Sequence, residues 1–142
     1  MYTHILAAVD AQNDAAPVVQ RAQALAQTFK ARLTLLHVVE PPAVVDPAAE
    51  LTPLTPLNLG GQLEELARKR LQALCTQFGL PMETAGVAFG ARVATILRTA
   101  EERKVDLIVA GHHAHKGLSA WFSHTDDSIV HRARCDVLAV VI

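Results

Sequence analysis

Three short apolar runs constrain this chain more than any other feature: Ile5–Val9, Leu33–Val39 and Asp106–Gly111, the last apolar after its first residue. A strand with one face in water alternates apolar and polar residues. Runs this short that do not alternate suit strands buried on both faces, the arrangement of a parallel sheet. The intervening segments carry helical periodicity. Val18, Val19, Ala22, Leu25, Ala26 and Phe29 recur at three- and four-residue steps behind Asp14, a candidate N-cap, and Pro17 falls in the first turn, where a missing N–H costs little. Asn58–Phe78 is the longest predicted helix, with Leu59, Leu63, Leu66, Leu71, Leu74 and Phe78 inward, then Gly79 as its stop.

Met82–Val87 alternates weakly and is expected at a sheet edge. A helix over Ala91–Arg103 follows, burying Val93, Ile96, Leu97 and Ala100. Near the end come a histidine-rich loop, a helix near Ser123–Ala133 and a last strand, Val137–Ile142. Strand and helix alternate throughout, which builds right-handed crossovers and a doubly wound α/β fold: a five-stranded parallel sheet of order 3-2-1-4-5, with helices on both faces. At 142 residues the chain makes one domain, residues 1–142. The stretch from Glu40 to Pro56 holds five prolines and reads as a loop, since proline at that density blocks both helix and ladder.

Thirteen basic against fourteen acidic side chains give a net charge of -1, so a nucleic-acid partner, which needs a basic face, is not expected. No apolar stretch is long enough to insert in a membrane, and Met1–His4 lacks the basic and apolar regions of a secretory leader. The expected compartment is the cytoplasm. Cys75 and Cys135 form no metal or redox spacing and read as reduced, small buried side chains.

In an open parallel sheet, ligands bind beyond the carboxyl ends of the strands, where strand order reverses. Asp10, the residues after Val39 and those after Gly111 are the candidates. His112, His113, His115 and His124 invite a metal reading, but neighbours on an extended backbone point apart, so no metal is expected. Ser119, Ser123, Thr125 and Ser128 have no nucleophile elbow and no argued base, so catalytic residues are expected to be none. Trp121-Phe122 reads as an anchor for the last helix.

Several segments together resemble one family. Tyr2–Asp10 looks like the opening strand of universal stress proteins, Leu35–Val39 their second strand, Asp106–His113 their fourth, and Val130–Leu138 their closing helix and strand. The resemblance implies a Rossmann-like fold of the adenine nucleotide alpha hydrolase-like kind. ATP-binding members carry Gly-x-x-Gly, nine residues, then Gly-Ser or Gly-Thr, because glycines let backbone N–H groups close around the triphosphate. Here Gly111 is present, but Ala114 stands at the second glycine. His124-Thr125, or Ser123-His124 in a register one shorter, stands where Gly-Ser belongs. The phosphate loop is expected to be degraded. His112-His113 after Gly111 and Asn58-Leu59-Gly60 are similar to the A-type subfamily. That likeness implies a homodimeric stress-response protein, without catalysis or cofactor, acting through protein partners it does not name. The alternative is an adenine-nucleotide sensor binding ATP or AMP through Asp10, Val38, Gly111, Ala114, Ser123, His124 and Thr125. An ATP-hydrolysing enzyme is the third reading; the missing glycines argue against it. The dimer contact is expected at Val137, Leu138, Ala139, Val140 and Val141, since an apolar edge strand is usually covered or paired.

Overall fold

The computed structural model describes residues 1–11, 15–40, 59–113 and 124–142. The described elements are β1 (His4–Ala8), α1 (Ala16–Phe29), β2 (Arg32–Val39), α2 (Leu59–Phe78), a 3-10 turn (Met82–Thr84), β3 (Ala85–Phe89), α3 (Arg92–Glu102), β4 (Leu107–His112), α4 (His124–Arg132) and β5 (Asp136–Val141). They form one five-stranded sheet of order β3-β2-β1-β4-β5, every neighbouring pair parallel. The doubly wound fold expected from the apolar runs is therefore present, with the weak third strand at an edge.

Each sheet face carries its own core. On one, α1 through Val18, Val19, Ala22 and Ala26 and α2 through Leu71 and Cys75 cover Ile5, Ala7, Leu35, Val109 and Val140. On the other, Ile96 and Ala100 of α3 and Ile129 of α4 cover Leu6, Leu36, Val38 and Ile108. Alternate residues of β1 thus serve opposite cores, which is why its sequence cannot alternate in polarity.

Two details differ from the sequence reading, and a third lies outside the described residues. Leu66 is exposed, because the buried stripe of α2 runs through Ala67, Leu71 and Cys75, and one residue's step turns Leu66 about 100° away. β3 begins at Ala85, because Met82–Thr84 closes a 3-10 turn with the Thr84 N–H on Pro81 O. Asp14 lies outside the described residues; the residue preceding α1 is Ala15, which makes no side-chain cap.

At the amino-terminal end of the sheet a polar knot ties β1 to β4 and β2. Asp106 accepts from the Thr3 N–H and hydroxyl, both at 2.8 Å, and from the His4 N–H at 3.0 Å. Desolvation by itself would raise the Asp106 pKa, but these donors outweigh it and hold the carboxyl below its usual range. Buried His4 donates through Nδ1 to Arg103 O at 3.0 Å and accepts the Thr34 hydroxyl on Nε2 at 2.8 Å. Burial is the main cause that lowers its pKa, so the ring sits neutral.

Both groups shift the pH dependence in one direction. Each has a folded pKa below its unfolded one, so the unfolded chain binds the extra proton and stability falls on acidification. The His4 share goes as pH drops below about 6.5, and the Asp106 share as pH drops from about 4 through its folded value. Asp106→Asn is expected to cost on the order of 2 kcal/mol at neutral pH and to flatten the loss below about pH 4. Urea midpoints measured from pH 3 to 7 check this; an unchanged acid limb would contradict it.

Candidate functional site

Strand order reverses at β1, whose two neighbours β2 and β4 are reached by separate crossovers, and a crevice opens there at the strands' carboxyl ends. Asp10, His37, Val38, Arg92, Gly111 and His113 are among its lining. The chain leaves β1 with the Val9 N–H still bonded to Leu36 O at 2.9 Å, so the half-buried Asp10 is held at the rim by the sheet's own ladder. Val38 contributes from β2 and is buried.

The wall beside β2 is built from the entry to α3. The Gly90 N–H bonds Val39 O at 3.1 Å, and Glu40 Oε1 accepts the Arg92 N–H at 3.1 Å. A carboxylate there meets the positive end of α3, whose own N-cap, Ala91, offers no side-chain bond. Gly90 is required: its φ is 138°, and a Cβ on it would lie 2.7 Å from Thr95 Oγ1. Gly90→Ala is expected to destabilise by on the order of 1–3 kcal/mol. A chemical-denaturation midpoint equal to the parent's would contradict that.

On the opposite wall Gly111 is hemmed in. A Cβ on it would sit 2.8 Å from Ile142 Cδ1 and 3.3 Å from Val18 Cγ2. The space a side chain would need on this glycine is thus taken by apolar groups of α1 and of the residue after β5.

Of the residues read from sequence as a nucleotide site, Asp10, Val38 and Gly111 come together around the crevice. Ala114 and Ser123 lie outside the described residues, as do the side chains of His124 and Thr125 at the start of α4. Trp121, Phe122, His115 and Ser119 are outside them too. Among the described residues no group of three or more His, Cys, Asp or Glu side chains could hold a metal ion. Cys75 is buried and Cys135 half-buried, and burial pushes both thiols up. No helix of the described residues is long and apolar enough to cross a membrane.

His37 and Arg92 were not singled out by sequence, and Glu40 was covered only as the first of the residues after Val39. A lone histidine inside an apolar run was the available signal for His37; Glu40 and Arg92 are 52 positions apart and no spacing joins them.

The model of the universal stress protein family matches residues 1–141. The chain belongs to the universal stress protein family. A relative, universal stress protein A homolog 1 of Coxiella burnetii (strain RSA 493 / Nine Mile phase I), is 36% identical over 139 residues, 98% of this chain and 96% of its own. Solved universal stress protein folds superpose on it. One, in complex with cAMP, has a TM-score of 0.63 at 21% identity, covering 98% of this chain and 97% of that one. The functionally unknown protein PA1789 from Pseudomonas aeruginosa PAO1 has a TM-score of 0.72 at 22% identity. This universal stress protein chain is 98% covered in that comparison and spans about half, 47%, of PA1789.

Proposed function

We propose that the protein is a non-catalytic, homodimeric universal stress protein of the A type, working in the cytoplasm through protein contacts rather than through bound ATP. The observation that carries this reading is the packing at Gly111. The family's phosphate-binding pattern uses that glycine to let backbone approach a triphosphate, whereas here packing alone accounts for it, since a Cβ on it would meet Ile142 and Val18. The sequence supports the same conclusion at the other positions of the pattern, where Ala114 replaces glycine and His124 stands at glycine or, in the shorter register, at the small hydroxyl.

Association is supported by β5. It lies at the sheet's edge, paired on one side with β4, and its residues Ala139 and Val141 are exposed. A second copy pairing there across a two-fold axis would cover both strands at once.

The adenine-nucleotide sensor keeps one supporting observation: Asp10, Val38 and Gly111 do share a crevice at the switch point. Light scattering and an absorbance spectrum of the purified protein separate the readings. A dimer at micromolar concentration with no nucleotide absorbance is expected. A monomer counts against the dimer, and co-purifying nucleotide favours the sensor.

A further inference from the structure

In β2, buried His37 has two polar neighbours that a single ring nitrogen cannot serve together. The residue is 5% exposed, and its Nδ1 lies 3.1 Å from Val9 O and 3.2 Å from the Ala11 nitrogen. A carbonyl only accepts, so the first bond requires a proton on Nδ1. A backbone N–H only donates, so the second requires Nδ1 bare. The two backbone groups flank Asp10, the residue that the turn after β1 presents to the crevice.

We propose that His37 is a proton-operated positioning residue for the Asp10 turn. With Nδ1 bare, the ring ties the Ala11 N–H and draws the turn onto β2. With Nδ1 protonated, the ring releases Ala11 and holds Val9 O instead, which alters where the Asp10 carboxylate sits over the crevice. The doubly protonated ring has only the second state available.

The charged and titratable surroundings among the described residues are these. Asp10 on the turn and Arg92 at the start of α3 line the same crevice as the ring. His113 beyond β4 lines the same crevice, and Glu40 at the end of β2 faces Arg92 at 4.0 Å. From the face where Leu35 packs, α1 brings Ala15 and Val18 and α2 brings Leu71 and Cys75, whose thiol burial keeps protonated. The switch does not depend on whether a nucleotide enters.

Nitrogen-15 NMR on the full chain tests this directly, since ring spectra report which nitrogen carries the proton. The Ala11 amide shift is expected to titrate with the His37 ring midpoint. Its hydrogen exchange, corrected for the intrinsic effect of pH, should quicken by about tenfold as the ring becomes doubly protonated. An Ala11 amide indifferent to that titration would overturn the proposal, as would an Nδ1 protonated throughout the neutral range. His37→Asn supplies both a donor and an acceptor near Nδ1 without titrating, so its Ala11 exchange should lose the step. A step that persists in the variant assigns it to Asp10 or His113 and also overturns the proposal. Should the variant fail to fold, the wild-type titration decides alone.

Discussion

Val141→Lys is expected to separate the proposed homodimer into folded monomers, whereas Val140→Lys is expected to unfold the chain. The two positions are neighbours on β5, but the pleat sends them opposite ways. Val140 is 7% exposed and belongs to the core with Val18, Val109 and Leu107; Val141 is 65% exposed. A lysine at Val140 must bury an unpaired ammonium, at on the order of 4 kcal/mol, most of the margin of a small domain. Its melting temperature should fall by roughly 10–20 °C. A lysine at Val141 meets water in the monomer, so folding stability should move by no more than about 0.5 kcal/mol. In a dimer paired through β5, the two-fold axis brings two such lysines onto one apolar seam, weakening association at least about tenfold. Light scattering with thermal melts on both variants makes the distinction. A fully dimeric Val141→Lys would place the contact elsewhere. The expectation of Val140 as an interface side chain therefore changes: in this fold it is a core residue.

Much of the architecture was legible because burial on both faces leaves a signature in sequence. Ile5–Val9 and Leu33–Val39 read as central strands because nothing on either side of them faces water, and both are central. The edge position of β3 was legible from its weak alternation, while its start was not, since the turn over Met82–Thr84 is a local hydrogen-bond choice. Asp10, Val38 and Gly111 were found by a topological rule, that ligands gather at strand carboxyl ends, and the crevice lies there. The buried histidines were not found. His4 depends on the Thr34 hydroxyl and Arg103 O, and His37 on Val9 O and the Ala11 N–H, partners 26 to 99 positions away. No periodicity encodes such pairings. Glu40 reaching Arg92 belongs to the same class of contact.

Restoring the phosphate loop is the second large effect. Each non-glycine residue forced to positive φ costs on the order of 1 kcal/mol or more. Ala114 adds a Cβ where the family pattern brings backbone to phosphate, and His124 adds a ring. The two losses together correspond to roughly a hundredfold in affinity, since about 1.4 kcal/mol is tenfold. The double variant Ala114→Gly with His124→Gly should therefore bind ATP up to about a hundredfold more tightly than the parent. Adding Ile142→Ala, which removes the Cδ1 nearest Gly111, should help further. A double variant no tighter than the parent would mean that the loop glycines are not what limits binding.

Calorimetry of the unmodified protein with ATP and magnesium at neutral pH is the most direct test of the proposed role. If the phosphate loop is degraded as proposed, no saturable heat is expected at micromolar ATP, and any binding should appear only roughly a hundredfold higher. A dissociation constant in the low micromolar range would contradict that role and make this chain a nucleotide sensor.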